Sequence, residues 1–238
     1  MNGITQDGYR IKFYDCDSYG KVKLSALLKI FSEIAGYDYN LKGFSHEYLW
    51  EREMVFLISK VTIHISRQPR DQEELTIKTW ERGKKGAMYL RGCSIESADG
   101  ETITDSVSGW VLVNPITRRI YKPSHFDGGF PQLTEIPMTA PVPSKILYGD
   151  LAEAGTHEVR FSELDSNGHL YNAGYADIAM DVLTEEERRR SYTDFAVSFV
   201  GEAKLGDRIT LFKQSKADSV VIVGRIDGRE CFELSMAE

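Results

Sequence analysis

Cysteine is scarce: Cys16, Cys93 and Cys231 are odd in number and widely spaced within 238 residues. That excludes a disulfide framework or a Cys-rich zinc site and suits a reducing compartment. Long apolar runs are also missing. The longest stretch free of Asp, Glu, Lys and Arg is Ser106–Thr117, 12 residues that include a proline, whereas a membrane-spanning helix needs roughly 20 apolar residues. Met1–Asp7 has neither a basic start nor an apolar core, so no signal peptide is expected. Positive charge is in deficit, with Lys+Arg 29 against Asp+Glu 36 and a net charge of −7, which argues against nonspecific nucleic-acid binding. The histidines (His46, His64, His125, His157, His169) show no metal-ligand spacing, so neither metal nor cofactor is expected. Gly83, Gly86, Gly128 and Gly129 form no phosphate loop, and no Gly-x-Ser-x-Gly elbow exists. With 42% hydrophobic and 27% charged residues, the chain reads as an ordinary globular protein of the cytoplasm.

What is present is a repeat. Leu24, Leu27, Leu28, Phe31, Ile34 and Ala35 recur at helical spacing and predict a helix over Ser25–Asn40; Tyr171, Tyr175, Ile178, Ala179, Val182 and Leu183 do so over Asn172–Glu186. Strand-like runs follow each helix: Phe56–Ser66, Leu75–Arg82, Ala87–Ser97 and Thr102–Val113, then Phe195–Ala203, Arg208–Gln214, Ser219–Ile226 and Cys231–Met236. The last pair in each set is joined by an Asp-Gly hairpin signal, Asp99-Gly100 and Asp227-Gly228. Asp17-Ser18-Tyr19-Gly20-Lys21-Val22 aligns with Asp165-Ser166-Asn167-Gly168-His169-Leu170, and Val61 with Val197. Five of the seven prolines lie in Pro123–Pro143, which reads as a linker. The expected organisation is α+β: a first unit over 1–122, a Pro-rich linker over 123–150 and a second unit over 151–238. Each sheet would curl round its helix, and the two would join edge strands into one continuous sheet around two central helices. Because the duplication can itself supply the paired sheet, a homodimer is left open.

The two copies are controls for each other. Asp17 and Asp165, Ser18 and Ser166, and Gly20 and Gly168 agree, as residues with a shared turn-building task should. Tyr19 differs from Asn167, Lys21 from His169, and Ser66 from Glu202. Glu202 falls in the apolar run Phe199-Val200-Gly201-Glu202-Ala203, where a strand-borne carboxylate is costly unless paired. Asp165, Asn167, His169 and Glu202 thus form a polar set in one copy only. A carboxylate shielded from water can act as general base, and Asn and His can orient a carbonyl or a water. Taken singly, each has a plainer reading: a turn brace for Asp165, a left-handed turn residue for Asn167, a helix-end histidine for His169, a solvated strand residue for Glu202. Arg188-Arg189-Arg190 reads either as a helix end complementing the helix dipole or as a docking patch for an acidic partner.

Arg160–Asn172, containing Asp165-Ser166-Asn167-Gly168-His169-Leu170-Tyr171-Asn172, resembles the Asp-x-Asn-x-His-x-x-Asn signature of the acyl-(acyl-carrier-protein) thioesterases, the plant Fat-type enzymes and their bacterial relatives. Trp110–Arg119 resembles that family's Trp-Val-x-x-Asn-x-x-Thr-Arg-Arg stretch. The resemblance covers nearly the whole chain. It implies a double hotdog fold and hydrolysis of acyl thioesters carried on the phosphopantetheine arm of acyl carrier protein. It also implies Asp165, Asn167, His169 and Glu202 as the catalytic set. Where plant members often have Cys after that Glu this chain has Ala203, so the resemblance favours a water-based mechanism over a Cys-His nucleophile. No transit segment is visible, which points to a bacterial cytoplasmic member. Leu28, Phe31, Ile34 and Phe56 are expected to line an acyl pocket in the first half, and Arg188, Arg189 and Arg190 to receive the carrier protein. The competing functions are acyl-CoA hydrolysis on the same fold and a non-catalytic acyl- or carrier-protein-binding module.

Overall fold

A computed structural model describes residues 3–238. Its strands are β1 (Ile4–Arg10), β2 (Val55–Ile65), β3 (Glu74–Lys85), β4 (Met88–Glu96), β5 (Thr102–Val113), β6 (Ala152–Glu158), β7 (Asp194–Phe199), β8 (Arg208–Ser215), β9 (Ser219–Ile226) and β10 (Arg229–Ala237). All ten pair antiparallel in one sheet, ordered β1-β3-β4-β5-β2-β7-β10-β9-β8-β6. Exchanging the copies reverses that order onto itself. The seam is β2 against β7, where Val61 faces Val197, Lys60 faces Ser198 and Thr62 faces Ala196. The residue pair aligned by sequence therefore marks the local two-fold axis.

Two long-axis elements lie against this sheet: α1 (Leu24–Leu41) and, in the second copy, α3 (Asn172–Asp181), which contact each other. The apolar stripe of α1 buries Leu24, Leu27, Leu28, Phe31 and Ile34 in one core with Tyr175 and Ile178 of α3 and with Ile63, Ile95, Leu211 and Phe232 of the sheet. Gly224 is what lets Phe232 lie flat there, since an added Cβ would stand 2.2 Å from its ring. The continuous sheet around two helices expected from the repeat, which the resemblance implied as a double hotdog, is thus present. Both Asp-Gly pairs turn hairpins; Asp227 and Gly228 take φ of 50° and 77°, as a type I′ turn requires.

Four details differ from the sequence reading. Each copy has a fifth strand, β1 or β6, at an outer edge of the sheet. The second helix ends at Asp181 and restarts as α4 (Glu185–Arg189), because Thr184 accepts from Glu187 N–H while the Glu187 carboxylate accepts from Thr184 N–H, a capping box that starts a new helix. The run after α1 includes a short helix, α2 (His46–Trp50), N-capped by Ser45. And β7 stops at Phe199, so Glu202 is not on a strand: Val200 and Gly201 N–H both turn to the Cys231 carbonyl. The segment 123–150 contains neither strand nor helix, yet it is fastened down. Thr139 and Ala140 N–H donate to the two oxygens of Asp105, Leu133 N–H to the Glu81 carbonyl, and Lys60 Nζ to the Ser144 carbonyl.

Candidate active site

The loop before α3 is built by Asp165. Its Oδ1 accepts from the N–H groups of Asn167 (2.8 Å) and His169 (3.2 Å), and its own N–H donates to the His169 carbonyl. Asp17 does the same for Tyr19 and Lys21 in the first copy, each at 2.9 Å. The turn-bracing role weighed for Asp165 is therefore what its contacts display. On that frame Asn167 stands exposed at the tip and His169 half-buried behind it.

Copies diverge at the next step. Lys21 Nζ donates to the carbonyls of Arg188, Arg189 and Arg190, closing the C-terminal end of α4 with a positive charge where the helix dipole is negative. His169, in the matching position, instead faces Glu202, with Nε2 3.2 Å from Oε2. Backbone pairing brings them together: Leu170 N–H donates to the Ala203 carbonyl, and His169 bridges to Lys204.

Glu202 is exposed and paired, not shielded within a strand as expected; the strand ends too early to enclose it. Arg118, from the turn after β5, grips both of its oxygens at 2.8 and 2.9 Å. Arg118 sits at φ 60° in a turn organised by Asn114, whose Oδ1 accepts from Ile116 and Thr117 N–H while Arg118 N–H donates to the Asn114 carbonyl. Beneath Glu202, the Tyr175 hydroxyl of α3 donates to the Gly201 carbonyl (3.2 Å) and accepts from Ala203 N–H (3.0 Å). Burial holds that phenol far above its ordinary pKa, so it remains a donor. Sequence reasoning missed both residues as parts of the site. Arg118 lies 84 residues away from Glu202; the Trp110–Arg119 stretch that carried the resemblance contains it, but no role was drawn from that motif, and Tyr175 counted only as an apolar member of its helix, although the first copy has Leu27 there.

A cavity of about 250 Å³ opens within the first half. Phe56 lines it, but Leu28, Phe31 and Ile34 do not; they are packed in the core. The cavity meets the neighbouring stripe of α1, Ser32, Ala35, Gly36 and Tyr39, at i, i+3, i+4 and i+7. Small residues leave the space there, whereas the strongest apolar stripe is consumed by packing. Ser32, which lines the cavity, lies near Tyr171 at the end of the Asp165 loop.

The arginine run is locally matched: Arg189 pairs with Glu185 (2.6 Å), Arg190 with Glu186 (3.7 Å), and Arg188 donates to the Asp181 carbonyl. Burial pushes the Cys93 thiol up to about 11 and the Cys231 thiol to about 12, so neither is a ready thiolate. Among the described residues no three His, Cys, Asp or Glu side chains converge as ligands for a metal ion.

Comparison with known proteins gives a consistent result. The family model described as the acyl-ACP thioesterase N-terminal domain matches residues 3–124, and that of the C-terminal domain matches residues 150–227. A chloroplastic palmitoyl-acyl carrier protein thioesterase of Cuphea hookeriana is 22% identical over 198 residues, covering 74% of this chain and 47% of its own. The chain thus spans about half the length of that curated relative. An acyl-ACP thioesterase structure from Bacteroides thetaiotaomicron superposes with a TM-score of 0.91 at 19% identity, covering 99% of this chain and 98% of its own. The 12:0-ACP thioesterase from Umbellularia californica gives 0.82 at 15% identity, covering 100% and 97%.

Proposed function

The chain belongs to the acyl-ACP thioesterase family, and we propose that it hydrolyses the thioester of a fatty acyl chain carried on acyl carrier protein. The observation that carries this reading is the divergence of the copies: His169 lies 3.2 Å from Glu202 in one, while its counterpart Lys21 is engaged in holding α4 in the other. A polar pair kept in one of two otherwise equivalent loops supports a chemical role for that copy.

In the proposed reaction Glu202 takes a proton from water as the water oxygen attacks the thioester carbonyl carbon. Asn167 and His169 orient the carbonyl and stabilise the oxyanion, and Asp165 holds both by bracing their loop. The tetrahedral intermediate then collapses, the C–S bond breaks, and the sulfur leaves with a proton as the phosphopantetheine thiol. Arg118 keeps the Glu202 carboxylate in one orientation, and Tyr175 fixes the backbone on either side of it. The buried cysteines and Ala203 supply no nucleophile there, which supports attack by water.

The test is thiol release from acyl-ACP by wild type, Glu202→Gln and Asn167→Ala. Each substitution should lower kcat by at least ~10² with the fold intact, the usual scale for a general base or an oxyanion donor. Near-normal rates in both would remove these residues from the mechanism. Acyl-CoA run in parallel decides the carrier: equal or faster turnover on CoA would replace carrier protein as the substrate. Charge reversal at Arg188–Arg190 that leaves KM for acyl-ACP unchanged would exclude that run as a docking surface.

A further inference from the structure

Resting on the reading that this cavity receives the acyl chain, we infer that the enzyme selects chains of medium length and that a buried ion network sets the limit. The cavity runs across the sheet from Val55 and Phe56 on β2, past Trp110 on β5, to Tyr89 and Arg91 on β4 and Glu81 on β3. That is three strand spacings, about 14 Å. The β2 end is the one nearest the active site, because β2 adjoins β7 and the turn carrying Arg118 leaves β5 opposite Val55. The β3 and β4 end is the inner one.

The inner end is closed by charge. Arg91 Nη1 donates to Asp38 Oδ2 (2.7 Å) and Thr79 Oγ1 (3.1 Å), and its Nη2 pairs with Glu81. Its guanidinium lies 4.9 Å from the centre of the Tyr39 ring. Asp38 also accepts from Lys42 and from Thr5, each at 2.6 Å. Arg91 and Asp38 are almost wholly buried. These groups satisfy one another, so they need no polar atom from a substrate and act as a wall. A chain long enough to reach past them would have to part a buried pair and leave a charge without its partner, among the costliest changes a protein interior can undergo. The reach in front of the wall is the three strand spacings, about 14 Å, roughly the length of an extended chain of ten carbons, so the wall favours chains of about eight to ten carbons.

The experiment measures kcat/KM for acyl-ACP from four to eighteen carbons with two opposed variants. In Gly36→Leu a side chain is added where a Cβ meets no atom within 4 Å, on a helix that gains from losing glycine. By narrowing the cavity it should reduce ten-carbon turnover about 10-fold relative to four-carbon turnover, the scale on which one methylene discriminates in a hydrophobic pocket. The triple variant Asp38→Leu, Glu81→Met, Arg91→Leu replaces the network with apolar groups, an exchange proteins often tolerate, and should move the optimum to longer chains. Wild type that turns over sixteen- and eighteen-carbon chains as well as ten-carbon chains would overturn the inference while sustaining the thioesterase assignment. A Gly36→Leu profile unchanged at every length would also overturn it. Wild type inactive on every chain would overturn both.

Discussion

Replacing Tyr175 by Phe removes one oxygen from a buried residue that is 2% exposed, and the contacts of that oxygen define the cost. The hydroxyl gives one hydrogen bond to Gly201 and receives one from Ala203. Gly201 is exposed, so water can replace the lost donor at its carbonyl. Ala203 is fully buried, so its N–H is left without a partner. An orphaned buried donor costs about 1–3 kcal/mol, and a chain of this length loses about 2–4 °C of melting temperature per kcal/mol. Tyr175→Phe should therefore melt about 4–8 °C lower, taking ~2 kcal/mol as the central cost. Since the two bonds flank Glu202, displacement of its carboxylate should also reduce kcat by about 10- to 100-fold, with KM changing far less. Thermal unfolding by circular dichroism and thiol release from acyl-ACP measure the two effects separately. A variant with wild-type kcat would show that Tyr175 does not position Glu202, and one with unaltered melting would refute the hydrogen-bond account as well.

Arg118→Gln cuts a half-exposed ion pair (52% and 37%), so stability should fall by less than about 1 kcal/mol; kcat should drop about 10-fold as Glu202 loses its orientation, and full activity would show that the pair is only a surface contact. Lys21→Met should cost about 1 kcal/mol, through loss of a cation at the end of α4, with thioester hydrolysis unchanged; reduced kcat without reduced melting temperature would contradict the bracing role. Burial would raise the Glu187 carboxyl, but Lys213, Ser215 and the Thr184 N–H overcome this and hold it down at about 2, against an ordinary 4.5. A depressed carboxyl contributes stability above its unfolded pKa and loses it as pH falls toward the folded value, here from 4.5 to about 2. Over that interval denaturant titrations should show Glu187→Gln converging on wild type, and a gap that stays constant with pH would refute the assignment.

The fold was legible because both copies repeat one pattern of apolar spacing, so that each half checks the other. What escaped was the polar perimeter. In β1 (Ile4–Arg10) and β6 (Ala152–Glu158) no residue is fully buried, so neither presents the alternation by which a half-buried strand is recognised. The break at Thr184 was written in Thr184-Glu185-Glu186-Glu187, a capping box within an otherwise continuous helical pattern. In the site, Asp165, Asn167, His169 and Glu202 could be picked out because the first copy lacks three of them. Arg118 was marked only by its place in the Trp110–Arg119 motif, since a contact across the two halves has no period to assign it a role. Leu28, Phe31 and Ile34 lie in the core and not at the cavity for a related reason: apolar side chains at helical spacing fill a core, and the α1 residues that face the cavity, Ser32, Ala35 and Gly36, are the small ones beside them.

Fusion through β2 and β7 has a consequence for association. Two separate units would present four sheet edges to solvent; joined, ten strands end in only two, at β1 and β6. Both ends are poor templates for another strand. β1 carries Gln6-Asp7-Gly8 at its exposed centre, and β6 is kinked between Glu153 and Gly155. A chain whose halves each needed a partner thus has its pairing completed internally, and the strands left at the rim discourage the sheet from growing any further.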